Sequence, residues 1–367
     1  MVEPTRRQLQ ALSFIILMSP ATRLIPGASA RAAGHAGWLC PIVAAPLCVL
    51  VVLTVSRALK NKAVGEGLGE VVMRAFPRFG RAVLLLYGLW LSLYAGFSLR
   101  SGASRFIYTI YTGSSPWPFV AVGLAAGVLA ALGSVKRLAR SAEIFRTLLL
   151  LAIVPILGFG LAQLDWSELL PVSVLDTQGV LLGGIEVLGT VSFVLINVPF
   201  LETGSPVERR SRSMSAWSVR ECLFLTAVVA AVIGRFGPEL SGSLTYPFFA
   251  LVRNTGLLGV SQRIEALVTT LWVLSDFVLC AFALMSASGL IRLSLGIKSR
   301  AGKARISPRV LVTLACAAAA LACAVTIAPN SRELRILSDE IIVYVNLIML
   351  FAVLMPVMII GIVRHRM

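Results

Sequence analysis

The chain has 367 residues, of which 57% are hydrophobic and only 14% charged, and it carries a net charge of +16. That balance excludes an ordinary soluble domain. Its basic residues are scattered through short loops between apolar stretches, which excludes a nucleic-acid-binding surface and matches the cytoplasmic loops of a membrane protein.

In chain order, the polar opening MVEPTRRQLQ runs into an apolar stretch that is too long, and lacks the small-residue cleavage site, for a removable signal peptide. Ten membrane-spanning helices are predicted, at about 9–30, 38–56, 81–100, 117–134, 143–163, 179–201, 217–236, 264–291, 308–328 and 340–363. Residues 57–80 form an amphipathic connection, and 237–263 form the longest connection on the opposite side. With the N-terminus inside, 24 Lys and Arg residues fall in inside segments and 8 in outside segments, while Arg23 lies within a span. The asymmetry places both termini in the cytoplasm.

Ten spans with both ends on one side divide into two sets of five. Because five is odd, span six enters the membrane from the side opposite to span one. A single membrane domain over 1–367 is therefore expected, built from inverted five-helix repeats at 1–163 and 179–363. This is an architecture of secondary transporters, whose site lies near the midplane where one helix of each half is interrupted.

Span one contains SPATRLIPG, with Pro20, Pro26 and Gly27 and the charge of Arg23 near its middle. Proline removes a backbone donor, and glycine tolerates unusual dihedrals. Span six, GVLLGGIEVLGTVSFVLINVPF, matches it with Gly183, Gly184, Gly189, Asn197 and Pro199. Close helix packing explains either set alone. Their joint placement on spans one and six predicts two interrupted helices that share a binding site.

The predicted ligand contacts are Ser19, Ala21, Thr22 and Arg23 of span one with Glu186, Gly189, Thr190 and Phe193 of span six. Tyr94 and Phe97 of span three are expected as walls. Arg23 and Glu186 each lie roughly 6 Å beyond their span centres at 1.5 Å per residue, so they either pair at one depth or separately face a water-filled vestibule. Asp276 lies near the midpoint of span eight beside Ser275, and the two are expected as a proton or coupling-ion site.

Cys40, Cys48, Cys222, Cys280, Cys316 and Cys323 all fall in apolar segments without metal-ligand spacing and are expected as small buried hydrophobes. His35 and His365 are the only histidines. No metal site, cofactor or nucleophile–base constellation is expected, and the chain is not expected to be an enzyme.

The opening RRQLQALSFIILMSPATRLIPGASARAAGHAGWL resembles the start of the spore germination permeases, the B subunits of GerA-type germinant receptors, with Gln8, Pro26 and Trp38 in place. SVKRLARSAEIF is similar to the family's Gly-x-Glu-x-x-Ala-Arg-x-x-Glu stretch at Ala139, Arg140 and Glu143. It departs from that stretch at Ser134 and Lys136, where the family has Gly and Glu. LTYPFFALVRN and SQRIEALVTTLW match the Tyr-Pro…Arg and Arg-x-Glu-x-Leu…Trp patterns at Tyr246, Pro247, Arg253, Arg263, Glu265 and Trp272. The resemblance covers nearly the whole chain in order. It implies an all-α amino acid–polyamine–organocation (LeuT-like) fold in the spore inner membrane, where the middle of span eight faces span one and helps form a cation site. It further implies a receptor complex with a membrane-embedded A subunit and a lipoprotein C subunit, and a small nutrient ligand, typically an amino acid such as alanine. The reading from another class is a proton- or cation-coupled amino acid transporter.

Overall fold

A computed structural model describes residues 4–63, 66–110, 113–201, 207–254, 261–297, 307–327 and 330–363. Residues 202–206, 298–306 and 364–367 of the expected cytoplasmic segments lie outside the described residues, as do the side chains of Arg209, Arg263 and Glu265. Among the described residues every regular element is helical. The helices used below are α1 (Arg6–Ala33), α2 (Cys40–Ala58), α3 (Leu68–Ala75), α4 (Phe79–Thr109), α5 (Trp117–Ala131), α6 (Val135–Ala162), α7 (Thr177–Leu201), α8 (Val207–Ser243), α9 (Pro247–Asn254), α10 (Ser261–Ser294) and α11 (Pro308–Thr326). A last helical segment, Glu333–Val363, contains two π-helical stretches, Leu337–Ile342 and Met349–Leu354. Among the described residues, eight helical segments are long and apolar enough to cross a membrane; the first holds both α1 and α2, and α5 is a shorter apolar helix. The protein is a multi-pass membrane protein.

Two helix groups divide the molecule. In the first, which we call the bundle, α1 and α2 pack against α7 and α8. In the second, the frame, α10 packs against α4 and α5 while α11 packs on α4. Helix α1 also touches α10 and α6, so it is the seam between the two groups. Glycines bring the elements close. A Cβ on Gly184 would stand 3.0 Å from Val43 Cγ1, and one on Gly96 would stand 3.0 Å from Ala320 Cα, so α7 and α2, and α4 and α11, approach at near-backbone distance.

The expectation of interrupted first and sixth helices is corrected. Both α1 and α7 run without a break, α1 through Pro20 and Pro26. Each proline forfeits one intrahelical bond, which a membrane helix tolerates when neighbours satisfy its polar groups. Here Ser275 donates to the carbonyl of Ile15, and the indole of Trp272 donates to Thr22 Oγ1 at 2.8 Å, so side chains of α10 hold α1 on both sides of Pro20. The glycines of α7 serve packing instead of unwinding: a Cβ on Gly183 would meet Cys40, and one on Gly189 would lie 2.7 Å from Val343 Cγ1.

The positions singled out by resemblance have local roles. Gln8 closes a capping box with Thr5 at the start of α1. Ser134 caps α6 by accepting from the amide of Arg137. Glu143 pairs with Arg7 at 3.0 Å, joining α6 to α1. All six cysteines are buried free thiols, as expected.

Candidate functional site

The deepest polar cluster lies at the seam. The carboxylate of Asp276, on α10, accepts hydrogen bonds from the Ser19 hydroxyl of α1 and from the guanidinium of Arg105 on α4. Arg105 also donates to Ser19 Oγ at 3.0 Å, closing a ring of three side chains from three helices. The Arg105 and Asp276 side chains are only 2% and 9% exposed. Burying either charge alone would be heavily penalised, and mutual pairing with hydrogen bonds offsets that penalty. Gly102, one turn before Arg105, makes the approach possible, because a Cβ at that position would stand 2.8 Å from the carboxyl carbon of Asp276.

One turn along α1 from Ser19, Arg23 faces a different environment. Its guanidinium donates to Ser338 Oγ at 2.8 Å and lies 5.3 Å from the centre of the Phe97 ring. Tyr94 stacks on Phe193 of α7 with ring centres 4.2 Å apart, so an aromatic wall runs from the frame to the bundle. Ser19, Arg23, Tyr94, Phe97, Arg105 and Asp276 line one cavity. Its volume is about 10 Å3, at the lower limit for a single water. Arg23 also lines a second, shallower cavity with Tyr246, Arg335 and Asp339. It therefore stands between the deep cavity and the shallow one.

The remaining predicted site residues are not gathered there. Glu186 and Thr190 line a separate small cavity with Leu24 and Val343. Glu186 accepts from the Tyr344 hydroxyl at 3.3 Å and makes no pair with Arg23, so the two face separate surroundings. Gly189 packs against Val343 and Leu347. Ala21 is fully buried, and Thr22 is occupied by Trp272 and by the carbonyl of Met18. Ser275 points its hydroxyl at Ile15 instead of into the cavity.

Sequence reasoning missed Arg105, because span three was closed at residue 100. Helix α4 continues to Thr109, and its 31 residues extend well beyond the roughly 20 that cross a bilayer. The signal available was the run SLRSGASRFIY, which has no helix breaker and carries small residues three and four apart, the pattern of a tightly packed membrane helix.

A family model described as "Spore germination protein" matches residues 5–332. A comparison with curated protein sequences finds no significant match. Among solved structures, the chain is similar to a substrate-bound, outward-open Na+-coupled sialic acid symporter (TM-score 0.61, 13% identity, 94% of this chain and 78% of that one covered). It is also similar to a nucleobase-cation-symport-1 family transporter in a closed conformation with bromovinylhydantoin bound (TM-score 0.63, 14% identity, 92% and 74% covered). At such identities the likeness establishes the fold, which is the LeuT-like transporter fold.

Proposed function

The chain belongs to the spore germination protein family, and on that premise we propose that it is the transporter-like membrane subunit of a nutrient germinant receptor. It binds a small germinant, an amino acid, at the seam between α1 and the frame, and occupancy signals germination. The observation that carries this reading is Arg23. Among the described residues its guanidinium forms no ion pair, and it stands between two cavities beside an aromatic wall. Because α1 is unbroken, its backbone amides are engaged in the helix and do not hold a ligand carboxylate. Arg23 has the charge and the fork of donors that a carboxylate needs.

Ten spans are proposed in two five-helix repeats, 1–163 and 179–363. Their support is positional: the first two helices of each repeat pack in the bundle, and the third and fourth pack in the frame. Both termini are then cytoplasmic, the membrane is the spore inner membrane, and the partners are the A subunit and the lipoprotein C subunit of the receptor. The cavity about Arg23 is contracted to roughly one water, so a ligand must select a more open arrangement of bundle against frame. It shifts that equilibrium only through its differential affinity for the two arrangements.

The second reading, a proton- or cation-coupled amino acid transporter, is favoured by the fold shared with the two symport proteins. Two experiments separate the readings. Spores carrying Arg23→Gln should contain the protein at the normal level and lose their response to its amino acid germinant; an unchanged dose response removes Arg23 from the site. Reconstituted wild-type protein should show no gradient-driven uptake of that amino acid; accumulation against a gradient makes it a working transporter.

A further inference from the structure

The ring of Ser19, Asp276 and Arg105 has an unusual composition. A carboxylate on α10 and a hydroxyl on α1 face each other across the seam, and oxygens of this kind are the ligands that hard cations take. The position between them is taken by the end of an arginine side chain from a third helix. We propose that Arg105 is a tethered cation: its guanidinium holds α1 to α10 as a bound metal cation would, so neither the fold nor ligand binding requires Na+ or K+.

Three features of the site support this. A guanidinium faces a carboxylate in a nearly dry location, since Arg105 and Asp276 are both buried. The donors of the fork are divided between the two oxygen-bearing residues, with one guanidinium nitrogen on Ser19 and the other on Asp276. The packing is cut to admit the group, with Gly102 leaving room beside the carboxylate and Arg105 lying over the ring of Phe249 at 5.5 Å. The guanidinium is covalently part of the chain, so this joint exchanges no metal ion with solvent. Ser275 reinforces the seam by bonding to the Ile15 carbonyl one turn before Ser19. The inference refines the seam assigned above as the binding region. It does not need the ligand to be an amino acid, and its test reads unfolding in the absence of ligand, so it can fail while the germinant reading stands.

The test is thermal unfolding of the purified protein in sodium, potassium and choline chloride at equal ionic strength. Wild-type protein should unfold at one midpoint in all three salts. Arg105→Ala leaves the oxygens of Ser19 and Asp276 facing an emptied space, and its midpoint should rise with sodium or potassium but not with choline, because a cation that binds only the folded state stabilises it by mass action. Arg105→Lys should behave as wild type. The double variant Arg105→Gln with Asp276→Asn removes both charges, and it should accumulate and show no cation selectivity. Where Arg105→Ala does not accumulate, the double variant decides: recovery without cation selectivity supports the proposal, and failure to recover overturns it. A sodium- or potassium-selective shift in wild-type protein overturns it outright, as does a folded Arg105→Ala protein that shows no selectivity.

Discussion

Ser19 and Arg23 stand one turn apart on α1, yet the charges around them are arranged in opposite ways. Around Ser19 every formal charge has its partner within the membrane interior, and the participating side chains are almost wholly buried. Around Arg23 the ties are looser and wetter. Arg31, two turns further along, pairs with Asp339 at 3.0 Å, but those side chains are 39% and 19% exposed. Arg31 and Arg335 also donate to the backbone carbonyl of Gly242, and Arg335 lies 3.7 Å from Asp339. The deep cluster is closed by desolvated charges and is costly to open. The cluster at the end of α1 is held by contacts that water can replace, each worth little. A helix fastened firmly at one point and loosely at the next is suited to pivot, and on this account Ser19 is the fixed end.

The sharpest way to break the contrast is to remove one charge of the deep pair. Asp276→Ala removes the carboxylate that pairs with the buried Arg105 guanidinium and should destabilise the protein by about 3–5 kcal/mol, read as a large fall in unfolding midpoint or in accumulated protein. A silent Asp276→Ala would show that the cluster is not a joint. Next in size is Gly102→Val, which forces a side chain against the Asp276 carboxyl and should cost about 1–3 kcal/mol by overpacking. A loss as small as at an exposed helix position would place the α4–α10 contact further apart than described.

Arg23→Gln sharpens the contrast from the other side. It should change stability by less than about 1 kcal/mol, since no ion pair is lost, while abolishing the ligand response. Smallest of all is Tyr344→Phe, which removes a 3.3 Å bond to Glu186 at an exposed position and should change the unfolding free energy by no more than about 1 kcal/mol. A larger effect would mean that Glu186 depends on Tyr344 as Asp276 depends on Arg105.

Much of this molecule was legible in its residues because a bilayer constrains a chain more than water does. Apolar length alone located the long helices, while the short α3 and α9 fall in stretches expected as connections, and the end of α4 was misjudged because Arg100 and Arg105 look like loop charges until their partners are known. Asp276 was found from its depth, since a carboxylate at the middle of a span demands an explanation. Its partner was not, because pairing depends on which helices touch, and no local pattern states that α4 meets α10. The prolines of α1 misled for a related reason. Proline weakens a helix only as far as its surroundings fail to hold it, and Ser275 and Trp272 hold α1 on both sides of Pro20 from 250 or more residues away in sequence. The glycines of α7, expected to interrupt that helix, prove to be contact points against α2 and Val343.

The central claim, that a small carboxylate ligand is held by Arg23 at the seam of bundle and frame, is tested most directly by ligand-induced thermal stabilisation. Purified wild-type protein and Arg23→Gln would be unfolded side by side against a panel of amino acids and uncharged sugars. The account predicts that at least one amino acid raises the wild-type midpoint in a saturable way, that sugars do not, and that the same amino acid leaves Arg23→Gln unmoved. Stabilisation of Arg23→Gln equal to that of wild type, or stabilisation of wild type by sugars alone, would contradict it.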